Sequence, residues 1–355
     1  MRSSTGRLQV FLRRTLPLLL VCIVLLLCGC TGAAKESELK KYNASFLQVF
    51  DTVTQITGYA ESEEAFTRSA EAGHDLLLEY HQLFDIYNDY EGINNIKTIN
   101  DQAGIAPVKV DSVLIGFLQD CREYYNATGG VVNVAMGSVL SLWHETRNEG
   151  IDDPENAKLP NKEALKEAAK HCSFDTVIID EENSTIYLED PQQRLDVGAI
   201  AKGWATQRVC ENAPSGLLVS VGGNVCATGP KPEKNSSWVV GIQDPEGGVD
   251  DYLHTVYVNQ ESVVTSGDYQ RYYTVEGKKY HHIIDPETLY PAEKWKSVSI
   301  ICTDSGLGDA LSTALFLLDL EEGQKLLDKY DAQAVWVDLA GETYYSPGFK
   351  ELIRT

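Results

Sequence analysis

The sequence predicts an α+β fold, and three features of its 355 residues indicate it. Apolar residues recur at helical spacing over 62–86 and 111–127. The second half is rich in short β-branched segments, from about 216 to 302. Helices and strands lack the regular β-α-β alternation of a doubly wound fold, so mixed or antiparallel sheets are expected. With 43% hydrophobic and 23% charged residues, the composition excludes a disordered chain, a collagen-like fibre and a small disulfide-rich scaffold.

The remaining elements follow from local periodicity and turn residues. A half-buried strand is predicted from Phe46, where F-L-Q-V-F-D-T-V-T-Q-I-T-G-Y alternates. A helix at 162–171 precedes a hairpin made of F-D-T-V-I-I and T-I-Y-L-E. The polar stretch 144–161, with two prolines, is expected to be a surface excursion. Further expected elements are strands at 216–221, 225–228, 237–243, 252–264, 269–275 and 296–302, a helical region at 305–329 and a closing hairpin at 333–345.

The start of the chain has the features of a lipoprotein signal peptide. Four arginines precede an apolar run, Leu16 to Leu27, which is shorter than the roughly 20 residues of a transmembrane helix. The run ends in L-C-G-C, which resembles a bacterial lipobox, and Cys30 is the expected lipidation site because bulky Leu27 precedes Cys28. An uncleaved N-terminal helix is the alternative. The expected organisation is a signal peptide at 1–29, a tether at 30–45 and a folded domain at 46–355, lipid-anchored on the extracytoplasmic face of the cell membrane.

The charge and the cysteines exclude several partners and sites. The net charge is −22, and removal of residues 1–29 with their four arginines and no acid lowers it to −26. Such a surface repels phosphate backbones and anionic lipid, so nucleic acid is excluded as a partner and membrane attachment requires an anchor. Five cysteines follow the signal segment, an odd number without metal-binding spacing, so most are expected to be buried free thiols. These are Cys121, Cys172, Cys210, Cys226 and Cys302.

Five segments contain residue types suited to catalysis or ligand binding. They are LDVGAIAKGWA at 195–205, SVGGNV at 220–225, VTSGDYQRY at 264–272, HHIIDPETLYP at 281–291 and LGDALSTA at 307–314. Taken singly, each has a structural alternative: a strand-to-helix turn, a hairpin turn, a packed corner or a helix cap. The P-loop pattern G-x-x-x-x-G-K-[ST] does not occur in the sequence.

Three of the segments contain residues suited, respectively, to binding an anion, binding a cation and exchanging a proton. Gly198 permits a tight turn before a helix near Ala199, whose backbone N–H groups, with Lys202, suit an anion. Asp309 and Thr313 stand at i and i+4 of a predicted helix, so their oxygens face one cation, and oxygen ligands suit Mg²⁺. The adjacent histidines of the fourth segment suit proton exchange near neutral pH.

In this order behind a lipobox, the segments resemble the bacterial FAD:protein FMN transferases of the ApbE type, from about Phe46 to Tyr345. The resemblance depends on D-x-G-x-I-A-K-G, G-G-N, T-S-G-D-Y, H-I-I-D-P and D-A-L-S-T-A together. It implies a two-lobed, T-fold-like α+β body that binds FAD between its lobes. It also implies Mg²⁺-dependent transfer of FMN from FAD to a Thr hydroxyl of an acceptor protein, with release of AMP.

The resemblance assigns a nucleotide site and a metal site. Asp196 and Lys202 correspond to contacts with the flavin nucleotide. The backbone carbonyl of Ala199, with the side chains of Asp309 and Thr313, corresponds to the ligands of Mg²⁺.

Proton transfer and flavin contacts are assigned in the same way. His282 corresponds to a histidine beside the diphosphate and is expected to accept the proton of the attacking Thr, oriented by Asp285. Further FAD contacts correspond to Phe50, to Val131, Val132 and Asn133 in the loop 129–134, and to a tyrosine that is either Tyr87 or Tyr90.

The sequence departs from the usual pattern of that family at three positions. Asn133 and Gln207 stand where Asp is common, so a charge is absent at each. Leu289 stands where Gly is common and should alter the turn after Asp285-Pro286, because leucine resists positive φ.

Two other functions suit the same residues. One is an FAD pyrophosphatase, in which water replaces the Thr hydroxyl and FMN and AMP are released. The other is a non-catalytic flavin-binding lipoprotein, which loss of the metal pair would indicate. For a transferase, the resemblance implies an acceptor with a Thr-containing motif, such as a membrane electron-transport subunit.

Overall fold

The computed structural model describes residues 39–248 and 250–355, and its compact unit is Lys41–Thr355. The predicted signal peptide and the lipidation site at Cys30 lie outside the described residues. Within those two ranges, every helix is too short or too polar to cross a membrane. The architecture is α+β, as the sequence predicts.

Fifteen described strands form one large sheet and three small ones. They are β1 (Lys40–Val49), β2 (Thr52–Ala60), β3 (Val108–Lys109), β4 (Val177–Asp180), β5 (Thr185–Leu188), β6 (Leu217–Val221), β7 (Asn224–Ala227), β8 (Trp238–Gln243), β9 (Tyr252–Val258), β10 (Ser262–Gly267), β11 (Tyr272–Val275), β12 (Lys278–His281), β13 (Trp295–Cys302), β14 (Ala332–Asp338) and β15 (Thr343–Tyr345). The large sheet has the order β1-β2-β6-β7-β10-β13-β14-β15, and the small sheets are β3-β5-β4, β8-β9 and β11-β12. From β2 to β15 each neighbouring pair of the large sheet is antiparallel.

The described helices differ in how their N-termini are capped. They are α1 (Glu63–Phe84), α2 (Ile96–Asp101), α3 (Ser112–Ala127), α4 (Gly137–Asp152), α5 (Lys162–Ala168), α6 (Ala201–Asn212), α7 (Ser305–Leu317) and α8 (Leu320–Leu327). Six of these begin at a side chain that accepts a hydrogen bond from a first-turn N–H, whereas α4 and α6 do not. In place of such a cap, the N–H of Gly137 in α4 donates to the carbonyl of Arg194, and the N–H of Gly203 in α6 donates to the side chain of Asp309.

Three apolar clusters hold these elements together. On one face of the large sheet, α1, α3, α6 and α7 bury a core that includes Phe117, Trp204 and Phe316. A second cluster forms between the sheet and the β8–β9 hairpin, around Trp238. The third joins α4 and α5 to the β11–β12 hairpin around Trp143 and fixes α4 beside the sheet.

Most predicted elements are present, but the tether and the strand starting at Phe46 were placed wrongly. β1 begins at Lys40, so residues 40–45 belong to the folded body rather than to the tether predicted at 30–45. The strand then reverses at Phe50-Asp51 into β2, which makes a hairpin where one strand was expected. The regions 252–264 and 305–329 likewise each contain two elements, β9 with β10 and α7 with α8.

The surface excursion expected at 144–161 is wrong for its first half, which belongs to α4. Helix α4 was missed because one of its faces is polar and borders a cleft, so its sequence resembles a solvated loop. Pro154 and Pro160 follow the helix and do not interrupt it. The five described cysteines are all free, and four of them are buried, as predicted.

Helices α6 and α7 approach each other closely at Gly203. A Cβ at this position would lie 2.3 Å from the carbonyl oxygen of Ser305 and 2.5 Å from Cβ of Asp309. Without it, the Gly203 N–H donates to Oδ2 of Asp309 at 2.7 Å. Only glycine permits this approach, because backbone cannot move aside as a flexible side chain does.

We therefore expect Gly203→Ala to lower the free energy of unfolding by about 1–3 kcal/mol, the usual cost of overpacking. Gly116→Ala in α3 is the matched control, since its added Cβ has no atom within 4 Å and alanine favours a helix by about 0.5–1 kcal/mol. Denaturant unfolding of both variants is the measurement. Equal stability of the two would show that the approach of α6 and α7 tolerates a side chain.

Candidate active site

A cleft of about 950 Å³ lies where the β1–β2 turn, α4, α6, α7 and the loops beside them meet. Clefts of this volume suit ligands the size of a nucleotide cofactor. The residues expected from the sequence that line it are Phe50, Tyr87, Val131, Val132, Asn133, Asp196, Ala199, Lys202, His282, Asp309 and Thr313. Tyr90 and Asp285 are not among the lining residues.

Asp309 and Thr313 present oxygens to the cleft from one face of α7. Asp309 is 5% exposed, and its Oδ2 accepts the N–H of Gly203. Oγ1 of Thr313 lies 3.5 Å from Oγ of Ser266, a distance that leaves it free to bind another group. Among the described residues, no group of three or more His, Cys, Asp or Glu side chains is arranged to hold a metal ion by itself. With the carbonyl of Ala199, the set is carboxylate, hydroxyl and carbonyl oxygen, which fits Mg²⁺ that takes its other ligands from phosphate and water.

The turn that contains Asp196 and Gly198 leads into the uncapped start of α6. Oδ1 of Asp196 accepts the N–H of Gly198 at 3.0 Å, which closes the turn. Nζ of Lys202 lies 3.5 Å from the carbonyl of Gly198, over the same turn. The helix begins at Ala201, two residues later than predicted, and its positive end with Lys202 makes this side of the cleft suitable for an anion.

His282 faces the cleft, whereas His281 is buried on the opposite side of the chain and lies 2.8 Å from the Ala292 carbonyl. Desolvation by the surrounding walls, with the positive charges of Arg271 and Lys202, lowers the pKa of His282 to about 3. Nδ1 of His282 lies 3.2 Å from the carbonyl oxygen of Arg271. A neutral imidazole that donates there leaves Nε2 able to accept a proton.

Asp285 does not orient His282, contrary to the expectation from the sequence. Its Oδ1 accepts the N–H groups of Glu287 and Thr288, so the carboxylate shapes the following turn. The backbone carbonyl of Arg271 holds His282 instead.

The structure separates the two candidate tyrosines. Tyr87 borders the cleft, and its hydroxyl lies 2.8 Å from Nδ1 of His144. Tyr90 turns back and donates its hydroxyl to Oδ2 of Asp85. Asp85 also accepts the N–H of Tyr87, so one carboxylate fixes the loop that carries both rings.

Phe50 enters the cleft from a strained turn. Phe50 and Asp51 are the two central residues of the β1–β2 hairpin, with φ of 54° and 52°. Positive φ at both positions is type I′ geometry, for which Asn-Gly is preferred, and it costs L-residues about 1–2 kcal/mol each. The N–H of Phe50 donates to Nδ1 of His81 at 3.3 Å, and the rings meet edge to face at 5.6 Å.

The sequence analysis missed the cleft residues of α4 and the loop before β11. His144, Arg147 and Asn148 border the cleft from α4, and Gln270 and Arg271 border it from the loop. The first group was detectable, since positions i, i+3 and i+4 share one face of a helix. The second group lies in the third of the five segments, 264–272, yet nothing in its sequence distinguishes a loop from the strand predicted at 269–275.

The model of the ApbE family matches residues 50–336 of the chain. The chain belongs to the ApbE family. A protein of Treponema pallidum named FAD:protein FMN transferase is 34% identical over 329 residues, 88% of this chain and 87% of that one. A protein of Klebsiella pneumoniae with the same name is 32% identical over 276 residues, 74% of this chain and 83% of its own.

Solved structures of ApbE proteins have the same fold. The crystal structure of the ApbE protein from Thermotoga maritima aligns with a TM-score of 0.78 and 30% identity, covering 89% of this chain and all of that one. The flavin transferase ApbE from Vibrio cholerae aligns with a TM-score of 0.69 at 19% identity over 89% of this chain and 100% of its own, which supports the fold alone.

Each departure from the ApbE pattern has a structural partner here. The Asn133 side chain donates to the carbonyl of Cys172 and accepts the N–H of Ala135, both at 2.8 Å. Gln207 accepts the N–H of Ser305 at 2.9 Å and so helps to cap α7. These neutral amides connect segments through hydrogen bonds that need no charge.

Leu289 does not alter the turn in the way expected. It adopts φ of 65°, the left-handed conformation that glycine would take, at a cost of about 1–2 kcal/mol. Its N–H donates to the carbonyl of Asp285 at 2.8 Å, and its carbonyl accepts the indole N–H of Trp143 at 3.0 Å. The contact within the turn and the contact with Trp143 of α4 together hold the leucine in this conformation.

We expect the imidazole of His282 to stay neutral well below pH 6.5, the ordinary value of its pKa. Since the unfolded chain binds this proton near pH 6.5 and the folded chain does not, acidification below that pH should lower the free energy of unfolding. His282→Gln should reduce this loss. The measurement is NMR titration of the ring, with unfolding at each pH, and a midpoint at or above 6.5 for His282 would contradict the expectation.

Proposed function

We propose that the protein is a Mg²⁺-dependent flavin transferase, which moves FMN from FAD to a Thr hydroxyl of an acceptor protein and releases AMP. The supporting observation is that one cleft combines Asp309 and Thr313, the cation of Lys202 at the start of α6, and the imidazole of His282, whose Nδ1 lies 3.2 Å from the carbonyl of Arg271. The names of the Treponema and Klebsiella relatives favour transfer of FMN from FAD to a protein.

The nucleotide would be held at the start of α6. Lys202 and the positive end of this helix attract the diphosphate of FAD, and the Asp196 turn sets their position. Asp309, Thr313 and the carbonyl of Ala199 would hold Mg²⁺. When bound, the ion neutralises charge on the diphosphate and on the departing AMP.

Transfer then needs an oriented nucleophile and a proton acceptor. The Thr oxygen forms a bond to the phosphorus of FMN, and the bond from that phosphorus to the oxygen of AMP breaks. The hydroxyl proton goes to Nε2 of His282, whose Nδ1–H is held by the carbonyl of Arg271. The side chain of His282 is exposed to the cleft, so an incoming segment can reach it.

Hydrolysis of FAD is the second candidate, because the same exposure admits water to His282. Water would then replace the Thr hydroxyl with the other groups unchanged. A flavin carrier without turnover is disfavoured, since the Asp309 and Thr313 pair is present and borders the cleft.

The direct test is incubation with FAD, Mg²⁺ and a candidate acceptor protein. A transferase gives a fluorescent acceptor band in the gel and an intact mass increased by one FMN. A pyrophosphatase gives free FMN and AMP without acceptor labelling. If the protein binds FAD but leaves it intact, both with and without the acceptor, the flavin carrier is favoured.

We expect Asp309→Ala to weaken Mg²⁺ binding strongly and to abolish most transfer and hydrolysis, and Thr313→Ala to reduce all three less, because threonine supplies no charge. His282→Ala should keep FAD and Mg²⁺ binding but slow transfer by about 10²–10⁴-fold. FAD titration with and without Mg²⁺, beside single-turnover rates, separates these roles. A normal Mg²⁺ requirement in Asp309→Ala would refute the metal site, and loss of FAD binding in His282→Ala would make His282 a ligand contact.

The proposed address is the extracytoplasmic face of the cell membrane, with lipid on Cys30. This position suits an acceptor that is itself a membrane electron-transport subunit. One acyl chain gives marginal anchoring and two or more give stable anchoring. Cys30→Ser should therefore release the protein from the membrane fraction or block its processing, measured by fractionation and N-terminal mass. Recovery of the unaltered protein in the cytosol with Met1 intact would refute the address.

A further inference from the structure

Helix α4 forms one wall of the cleft, and its rotation is fixed from behind. The residues that border the cleft are Met136, Leu140, His144, Arg147, Asn148 and Ile151, which recur every three or four positions. On the opposite face Trp143 is buried and donates its indole N–H to Leu289 at 3.0 Å. Gly150 packs against the ring of Tyr273, where an added Cβ would lie at 2.8 Å. The helix is therefore a rigid support for His144.

His144 lies between two other residues that line the cleft, Tyr87 and Asp196. Its Nδ1 lies 2.8 Å from the hydroxyl of Tyr87, and its Nε2 lies 3.6 Å from Oδ2 of Asp196. The side chains of His144 and Asp196 are 21% and 10% exposed, whereas Tyr87 is 56% exposed. Two largely buried side chains, His144 and Asp196, thus lie beside the exposed ring of Tyr87.

The hydrogen positions follow from the neighbours of His144. A carboxylate beside Nε2 favours the proton on that nitrogen, since two lone pairs would repel. Desolvation lowers the pKa of His144, so the ring is neutral and Nδ1 carries a lone pair. The hydroxyl of Tyr87 is then the donor to Nδ1. Tyr87 is fixed through this bond and through its N–H, which donates to Asp85.

We propose that His144 is a positioning residue, which holds the ring of Tyr87 for stacking against the flavin and connects it to the Asp196 turn at the diphosphate side. This inference depends on the proposed use of FAD. An exposed tyrosine loses side-chain freedom when a ligand stacks on it, and a preformed hydrogen bond removes that cost before binding. The flavin ring and the diphosphate of one FAD molecule would thus contact residues that are connected to each other through His144.

The test compares Tyr87→Phe, which keeps the ring, with His144→Leu, which removes the acceptor. Each should raise the dissociation constant for FAD by about 5–10-fold, the worth of one hydrogen bond. The double variant should bind no worse than either single variant, because both changes break the same bond. At saturating FAD the single-turnover rate should fall less than about twofold, since no reacting atom is touched.

Two further variants exclude a merely structural effect. His254→Leu is the matched control, since His254 lies 2.8 Å from the hydroxyl of Tyr345, away from the cleft lining, and it should lose stability without change in FAD affinity. His144→Asn places an amide near the position of Nδ1 and should recover part of the affinity. Binding is read from quenching of flavin fluorescence in EDTA, beside unfolding midpoints.

Unchanged affinity in His144→Leu, or additive losses in the double variant, would overturn the inference while leaving the proposed function intact. Absence of FAD binding by the unaltered protein would overturn both.

Discussion

The contact between Gly203 and Asp309 is the constraint on which the site depends. A buried carboxylate is costly unless its oxygens have hydrogen-bond partners. Asp309 obtains one from the Gly203 N–H, at the positive end of a helix that begins without a side-chain cap. The same contact brings Asp309 and Thr313 of α7 next to Lys202 of α6. The proposed metal side and the proposed anion side of the cleft are therefore positioned by one approach of two helices.

The cleft is much less acidic than the chain as a whole. The protein has a net charge of −22, whereas Lys202, Arg147 and Arg271 border the cleft together with four aspartates, Asp51, Asp85, Asp196 and Asp309. A dinucleotide is repelled by the surface as a whole, and the three cations of the cleft offset part of that repulsion locally. Desolvation lowers the pKa of His282, and the positive charges of Arg271 and Lys202 lower it further, so these cations help to keep the imidazole neutral.

The sequence was sufficient to predict a cleft residue where one short segment contains both the recognisable pattern and the residue itself. The i, i+4 spacing of Asp309 and Thr313 and the glycine turn before Lys202 place those side chains in the cleft without knowledge of the fold. His144 could not be recognised from the sequence, because both of its partners are distant along the chain. Tyr87 lies 57 residues before it, and Asp196 lies beyond the polar stretch that follows it. Its importance depends on the tertiary packing that turns one polar face of α4 inward. The choice between Tyr87 and Tyr90 depended in the same way on the hydrogen bonds of Asp85.

The hairpin turn at Phe50 and Asp51 has a consequence for protein engineering. Replacing this pair by Asn-Gly would relieve two unfavourable backbone conformations, so selection for heat resistance alone would favour the exchange. The same exchange would remove the ring that Phe50 places in the cleft. Stability and ligand recognition therefore compete at this turn, and a thermostable variant that carries this exchange is expected to recognise its ligand less well.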